Sequence, residues 1–269
     1  MGDIKTIGFI GFGNMARAVA GGILGAKLAQ RCELIAYNPT REKITSFAGV
    51  RACDDSREVA QSADYLFLCV KPQQLEAAFG EFNDMLRNGQ IVVSIAAGVS
   101  VERLLKMAKK DVKIVRTMPN TPLLVGCGAT AISRPKEISD ADYDFVCEIF
   151  RSSGDIFEIA PDKFDEVIPV AGSGVAILFR LARLIAESAE REGLDYDSSI
   201  NMFAKTLEGA AAMIFRSGKP ADELEKMVCS KGGTTLALLG KLDEFEFNRA
   251  VNEAYGACVA RAKELGKQV

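Results

Sequence analysis

Two stretches of this sequence carry residue types and spacings suited to chemistry. Gly11-Phe12-Gly13-Asn14-Met15-Ala16 is a G-x-G-x-x-A turn directly after an apolar run. Gly11 suits a tight turn, Gly13 leaves the backbone open to a pyrophosphate, and Ala16 lets a following helix pack close to a strand. The helix N-terminus then offers N–H groups and a positive dipole end to the phosphates. A plain glycine-rich turn has the same letters. The strand before it, the helix after it and its place near the N-terminus favour a dinucleotide. The second stretch is Ser230-Lys231-Gly232-Gly233-Thr234-Thr235, hydroxyls and bare glycines ahead of a helix expected over 234–241. Glycines there expose N–H groups to a carboxylate. A hydroxyl-capped connection between two helices would look alike.

The end of the second expected strand selects the cofactor. An NAD enzyme places Asp or Glu there for the ribose 2′-hydroxyl. This chain has Asn38-Pro39-Thr40-Arg41-Glu42-Lys43, and Arg41 and Lys43 suit a 2′-phosphate. The reading is therefore NADP(H), with the plain alternative that both cations are solvated. Further loops expected at strand ends are Val70-Lys71-Pro72-Gln73, Ala96-Ala97-Gly98 and Met118-Pro119-Asn120-Thr121-Pro122. The last has the stiffness of a loop against a nicotinamide, or of an ordinary proline-rich turn.

The seven cysteines are scattered, none in a Cys-x-x-Cys pair, and histidine is absent. No metal site is expected, since zinc needs close-spaced Cys or His ligands. Proton donors are limited to hydroxyls, carboxyls, Lys, Tyr, Cys and water. The odd cysteine count fits a reducing compartment, so a cytoplasmic location is expected. The net charge is −3 with both signs interspersed, which predicts no nucleic-acid partner. No secretory signal and no apolar run of about 20 residues are expected, hence no membrane partner. Met1-Gly2-Asp3-Ile4-Lys5-Thr6 fits the loose myristoylation pattern, which is common by chance and here leads into a strand.

Short β-rich runs over 4–10, 33–37, 65–70, 90–96, 113–117, 129–133 and 155–159 alternate with helical stretches, among them 14–24 and 41–47. This predicts an α/β fold, Rossmann-type, with a mostly parallel sheet covered by helices on both faces. Beyond residue 160 the 3.6-residue period takes over: Leu178, Leu181, Ile185 and Ala189; Ile200, Phe203, Leu207, Ala211 and Ile214; Phe247, Val251, Ala254, Cys258, Ala262 and Leu265. The expected domains are 1–162 for the dinucleotide and 163–269 as an all-helical dimerisation and substrate domain. So few helical residues with so many apolar positions favour a homodimer, or a higher homo-oligomer built from it.

The pieces Ile10–Ala16, Val70–Gln73, Met118–Pro122, Gly172-Ser173-Gly174 and Gly232-Gly233-Thr234-Thr235 together resemble pyrroline-5-carboxylate reductase along essentially the whole chain. The resemblance implies NADPH-dependent reduction of a small cyclic imine to proline, the last step of proline biosynthesis, by an interlocked dimer. It assigns Ser230 and the backbone around Gly232, Gly233 and Thr234 to the substrate carboxylate, with Lys231 beside it. Thr235 becomes the hydroxyl near the ring nitrogen. The chain departs from the family pattern at Val175 and Lys231, where proline is usual, and at Ile177, where an aromatic is frequent. A related two-domain reductase of another imine or a keto acid, and a non-catalytic NADP-binding regulator, remain the other readings.

Overall fold

The computed structural model describes residues 4–268; the Met1-Gly2-Asp3 start of the acylation pattern lies outside them. Eight strands form one sheet: β1 (Lys5–Ile10), β2 (Cys32–Tyr37), β3 (Arg51–Ala52), β4 (Tyr65–Leu68), β5 (Ile91–Ser94), β6 (Lys113–Met118), β7 (Gly128–Ile132) and β8 (Gly154–Glu158). Their order is β3-β2-β1-β4-β5-β6-β7-β8. All neighbours are parallel except β6 and β7. The connecting helices are α1 (Asn14–Gly25), α2 (Glu42–Thr45), α3 (Ser56–Ser62), α4 (Leu75–Phe82), α5 (Val101–Ala108) and α6 (Asp140–Arg151).

The central strands are buried along their whole length, as a sheet covered on both faces requires. Alternation divides their side chains between two cores. Phe9, Phe67 and Val93 face one way, with Phe150 of α6. Ile10, Leu66, Leu68 and Val92 face the other, with Phe79 and Phe82 of α4. Helix starts are set locally: Asp55, Ser100 and Ser139 accept from the backbone N–H three residues on, at Glu58, Arg103 and Asp142. The expected helix over 41–47 shrinks to the single turn of α2, and the two-residue β3 carried no sequence signal.

Beyond β8 the chain is helical: α7 (Phe164–Val167), a π-helical turn Ile168–Gly172, α8 (Gly174–Arg191), α9 (Tyr196–Arg216), α10 (Ala221–Met227), α11 (Thr234–Glu244) and α12 (Phe247–Gln268). Contacts divide the chain into Met1–Ser173 with Cys258–Val269, and Gly174–Ala257. The division falls later than the expected boundary at 162, because α7 and the π turn pack on the sheet unit. Arg116 on β6 explains this. Its guanidinium donates to Pro161 O at 3.0 Å, pairs with Asp165 at 3.2 Å, and lies over the Phe164 ring. Burial lowers the Arg116 pKa from its ordinary value, while Asp165 acts to raise it.

The unit Gly174–Ala257 has almost no interior of its own. Among its described residues only Ala182, Ala186 and Ser199 are buried, whereas Phe179 is 67% exposed, Phe215 77% and Phe245 73%. The helical run Pro161–Arg191 contains a stretch long and apolar enough, by length and composition alone, to cross a membrane. Its apolar side chains form the stripe of an amphipathic helix, with Arg180, Arg183, Glu187 and Glu190 on the other side.

The last turns of α12 belong to the sheet unit and meet the loop after β5 backbone to backbone. A Cβ on Gly98 (φ +75°) would stand 2.7 Å from Ala262 O, and one on Gly266 would overlap Gly98 O. Gly266→Ala is expected to lower the unfolding free energy by ~1–3 kcal/mol, the usual cost of overpacking. A urea titration with an unshifted midpoint would show that this approach is looser than described.

Candidate functional site

The parallel strands end in register. Ile10 pairs with Tyr37 and with Leu68, Leu68 with Ser94, and Ser94 with Arg116. The loops after these residues therefore share the carboxyl edge of the sheet. Chain order reverses direction between β1 and β4, which is where open α/β sheets form a ligand crevice.

At that crevice Gly11 has φ +86°, and its N–H donates to Tyr37 O at 2.9 Å. A Cβ there would lie 2.8 Å from the carbonyl of Cys69 at the end of β4. Phe12 is fully buried, edge-on to Phe9 and Phe47, and anchors the turn from below. Gly13 is the N-cap of α1, with no side-chain cap and nothing within 4 Å of where a Cβ would stand. The first N–H groups of α1 thus face open space. Asn14 is exposed, Met15 half-buried against the core, and Ala16 buried at the helix–sheet contact. Uncapped amides above an open glycine fit a pyrophosphate.

Asn38, at the end of β2, is held by two hydrogen bonds. Its Oδ1 accepts from Phe12 N–H at 3.0 Å and its Nδ2 donates to Thr40 O at 3.0 Å, so it clamps two strand-end loops together. Arg41 stands beside it at the start of α2, its Nη1 2.8 Å from Asp54 Oδ1. On the β4 side, Val70 packs against Gly11, Lys71 is exposed, and Pro72 opens a 3-10 turn. Burial pushes the Cys69 thiol pKa well up. It is a packing group beneath the turn.

The loop after β5 is held by Ser94, whose hydroxyl accepts from Ala96 N–H at 3.3 Å and whose carbonyl accepts from Thr117 Oγ1 at 3.1 Å. Ala97 is its half-exposed member, while Gly98 is turned against α12. After β6, Asn120 is buried: Oδ1 accepts from Ala129 N–H at 2.9 Å and Nδ2 donates to Ala171 O at 3.2 Å. Its side chain is therefore committed to backbone. What it positions is a feature the sequence did not disclose. The π turn, closed by Ser173 N–H donating to Ile168 O at 2.7 Å, brings Gly172 against the tip of Met118. Ser173 Oγ lies 3.5 Å from Cys258 Sγ. The only sequence signal here was the glycine pair 172 and 174 inside a helical run. Single-turn π insertions recur at functional sites.

The loop 230–235 lies in the other unit. Gly232 has φ +72°, which turns the chain into α11. Gly233 is the N-cap, with no side-chain cap, and donates to Ser230 O at 2.9 Å. A Cβ on Gly233 would overlap the Ser230 hydroxyl, so that hydroxyl lies directly over the helix start. Among the described residues, the side chains of Ser230, Lys231, Thr234 and Thr235 make no hydrogen bond or ion pair. Hydroxyls, a cation and free helix amides thus converge on one short stretch. No group of three His, Cys, Asp or Glu side chains among the described residues could hold a metal ion.

Two family models match: pyrroline-5-carboxylate reductase dimerisation over residues 161–265, and NADP oxidoreductase coenzyme F420-dependent over residues 6–98. Pyrroline-5-carboxylate reductase of Escherichia coli is 35% identical over 98% of this chain and 99% of its own. That of Arabidopsis thaliana is 31% identical over 97% and 95%. The solved structure of Plasmodium falciparum pyrroline carboxylate reductase with NADP bound aligns with a TM-score of 0.90 at 28% identity, covering 99% of both chains. That of a Coxiella burnetii pyrroline-5-carboxylate reductase aligns with a TM-score of 0.87 at 31% identity, over 98% of this chain and 99% of that one. With identity of this extent along nearly its whole length, the chain belongs to the pyrroline-5-carboxylate reductase family.

Proposed function

We propose that this chain reduces pyrroline-5-carboxylate to proline with NADPH, the last step of proline biosynthesis. The observation that carries this reading is the uncapped start of α11 under the Ser230 hydroxyl. It is a carboxylate receptor in a chain whose other unit presents a dinucleotide turn. Residues 1–162 would hold the cofactor: Gly11, Gly13, Asn14, Met15 and Ala16 at the pyrophosphate, Asn38 and Arg41 at the adenosine ribose. Val70, Lys71, Pro72, Ala96, Ala97, Gly98 and Asn120 build the strand-end surface beside it. Residues 163–269 would hold the substrate and form the dimer.

A nicotinamide held there would supply a hydride to the imine carbon. The chain's own share is positional. The free amides of Thr234 and Thr235 and the Ser230 hydroxyl bind the carboxylate, aided by the dipole end of α11. A five-membered imine keeps its nitrogen close to its carboxyl carbon, which sets Thr235 Oγ1 to orient the N–H. A protonated imine already accepts hydride readily, so a hydroxyl suffices and alignment in a water-poor site supplies most of the rate. The exposed apolar faces of α8, α9 and α11 favour a homodimer. All seven cysteines are free, which accords with a cytoplasmic setting.

Purified protein is expected to oxidise NADPH with pyrroline-5-carboxylate in preference to a panel of keto acids and other cyclic imines. Thr235→Val should lower kcat/KM by roughly 10- to 100-fold, the loss of one hydrogen bond to a charged group. NADPH binding should be untouched. Ser230→Ala should act mainly on the imine KM. Parental turnover in both variants would place the substrate elsewhere. Light scattering at micromolar concentration should give a dimer; an active monomer would refute the assembly.

A further inference from the structure

The end of β2 is where a dinucleotide fold meets the adenosine ribose, and so where NADPH and NADH differ. Asn38 is occupied there with Phe12 N–H and Thr40 O. Arg41 and Lys43 are the cations here suited to a 2′-phosphate, and Arg41, the one with a guanidinium, already has a partner. Its guanidinium lies 2.8 Å from the Asp54 carboxylate, which is 90% exposed while the Arg41 side chain is 55% exposed.

The pairing is built into the backbone on both sides. Arg41 opens α2, its carbonyl accepting from Ile44 N–H at 2.9 Å. Asp54 sits in the loop between β3 and α3. Cys53 N–H donates to Ala36 O on β2 at 2.8 Å, Asp54 N–H to Glu58 Oε2 at 3.1 Å, and the Asp55 carboxylate caps α3 through Glu58 N–H at 2.8 Å. Glu58 is itself held by Arg51 at 2.6 Å. The loop backbone is therefore held so that Asp54 stands within reach of the guanidinium.

Resting on the proposed cofactor reading, we propose that Asp54 is a specificity-determining residue, a carboxylate that competes with the 2′-phosphate of NADPH for Arg41 and narrows the preference over NADH. A 2′-phosphate brings about −1.5 to −2 charges and seeks a bidentate guanidinium. Arg41 must either release Asp54 or hold phosphate and carboxylate together, with their mutual repulsion. NADH brings only a hydroxyl and leaves the pair intact. Both groups are solvated, so the effect is that of an exposed ion pair, about 1.5- to 5-fold in affinity.

The test is a fluorescence titration of NADPH and NADH against the full-length protein, Asp54→Asn, Arg41→Ala and the double variant. Asparagine keeps the shape and removes the charge. Asp54→Asn is expected to tighten NADPH about 1.5- to 5-fold and leave NADH unchanged. The gain should shrink in the Arg41→Ala background and in high salt. An NADPH/NADH ratio that stays or falls in Asp54→Asn overturns the proposal, because Asp54 would then be a bystander or would orient Arg41 for the phosphate. An equal gain without Arg41 overturns it as well. These titrations need no imine. Failure of the parent protein to turn over pyrroline-5-carboxylate would sink the proposed function while leaving this result readable.

Discussion

The turn after β1 touches the carbonyl end of β4, and the rest of the dinucleotide edge depends on that contact. Gly11 can make it because it has no Cβ and because φ +86° costs glycine little. Any other side chain would meet the Cys69 carbonyl and Val70 together. Moving the turn away would lift Phe12 from Phe9 and Phe47, exposing a ring whose burial is worth roughly 1.5–3 kcal/mol. It would also break the amide clamp from Asn38. The same displacement would re-aim the first amides of α1, since Gly13 is both the end of the turn and the helix N-cap. One close approach thus fixes the strand spacing, the turn and the direction of the first amides of α1.

The helical unit obeys an opposite logic. The sheet unit fills two cores, while the unit Gly174–Ala257 leaves Phe179, Phe215, Phe245 and most of its leucines and isoleucines exposed. Exposed apolar side chains in this number accord with the dimerisation model that matches residues 161–265. The loop 230–235, proposed above as the carboxylate site, lies in this same unit. α12 begins in the helical unit and ends in the sheet unit, where Gly266 and Ala262 close on Gly98.

Strands and long helices were legible in the sequence because their side chains repeat at the period of the element. Tyr65–Leu68 is apolar at every position since both faces are covered, and Leu178, Leu181 and Ile185 recur at helical spacing. β3 was not legible, because two residues cannot show a period. The residues of the cofactor edge were legible as types and illegible as partners. Asn38 stood out for the absence of a carboxylate, yet its two bonds reach a residue far back in the chain and one just ahead. Arg41 stood out as a cation, while Asp54 meets it only because β2 and β3 pair. Gly98 looked like a ligand glycine, and its neighbour proved to be Gly266, remote in sequence. The π turn was hidden for a related reason: its closure by Ser173 N–H to Ile168 O, around Pro169 with no N–H to give, leaves no periodic trace.

The absence of histidine and the charge at 231 bear on the chemistry together. A keto-acid reduction needs a proton delivered to an alkoxide, which in this residue inventory falls to Lys231, the one basic side chain in the substrate loop. An iminium needs no such donor, because its nitrogen arrives protonated. For the imine, then, Lys231 acts through its field alone. It attracts the carboxylate and repels the cationic nitrogen a bond or two away. Its side chain is exposed, so both effects are screened, and the nearer charge gains more. With the substrate placed as proposed, the carboxylate would rest on the amides of this loop and the nitrogen would face Thr235. A lysine in place of the family's usual proline would then give up some stiffness at the helix start and set a screened cation beside an anionic substrate, without adding a catalytic group.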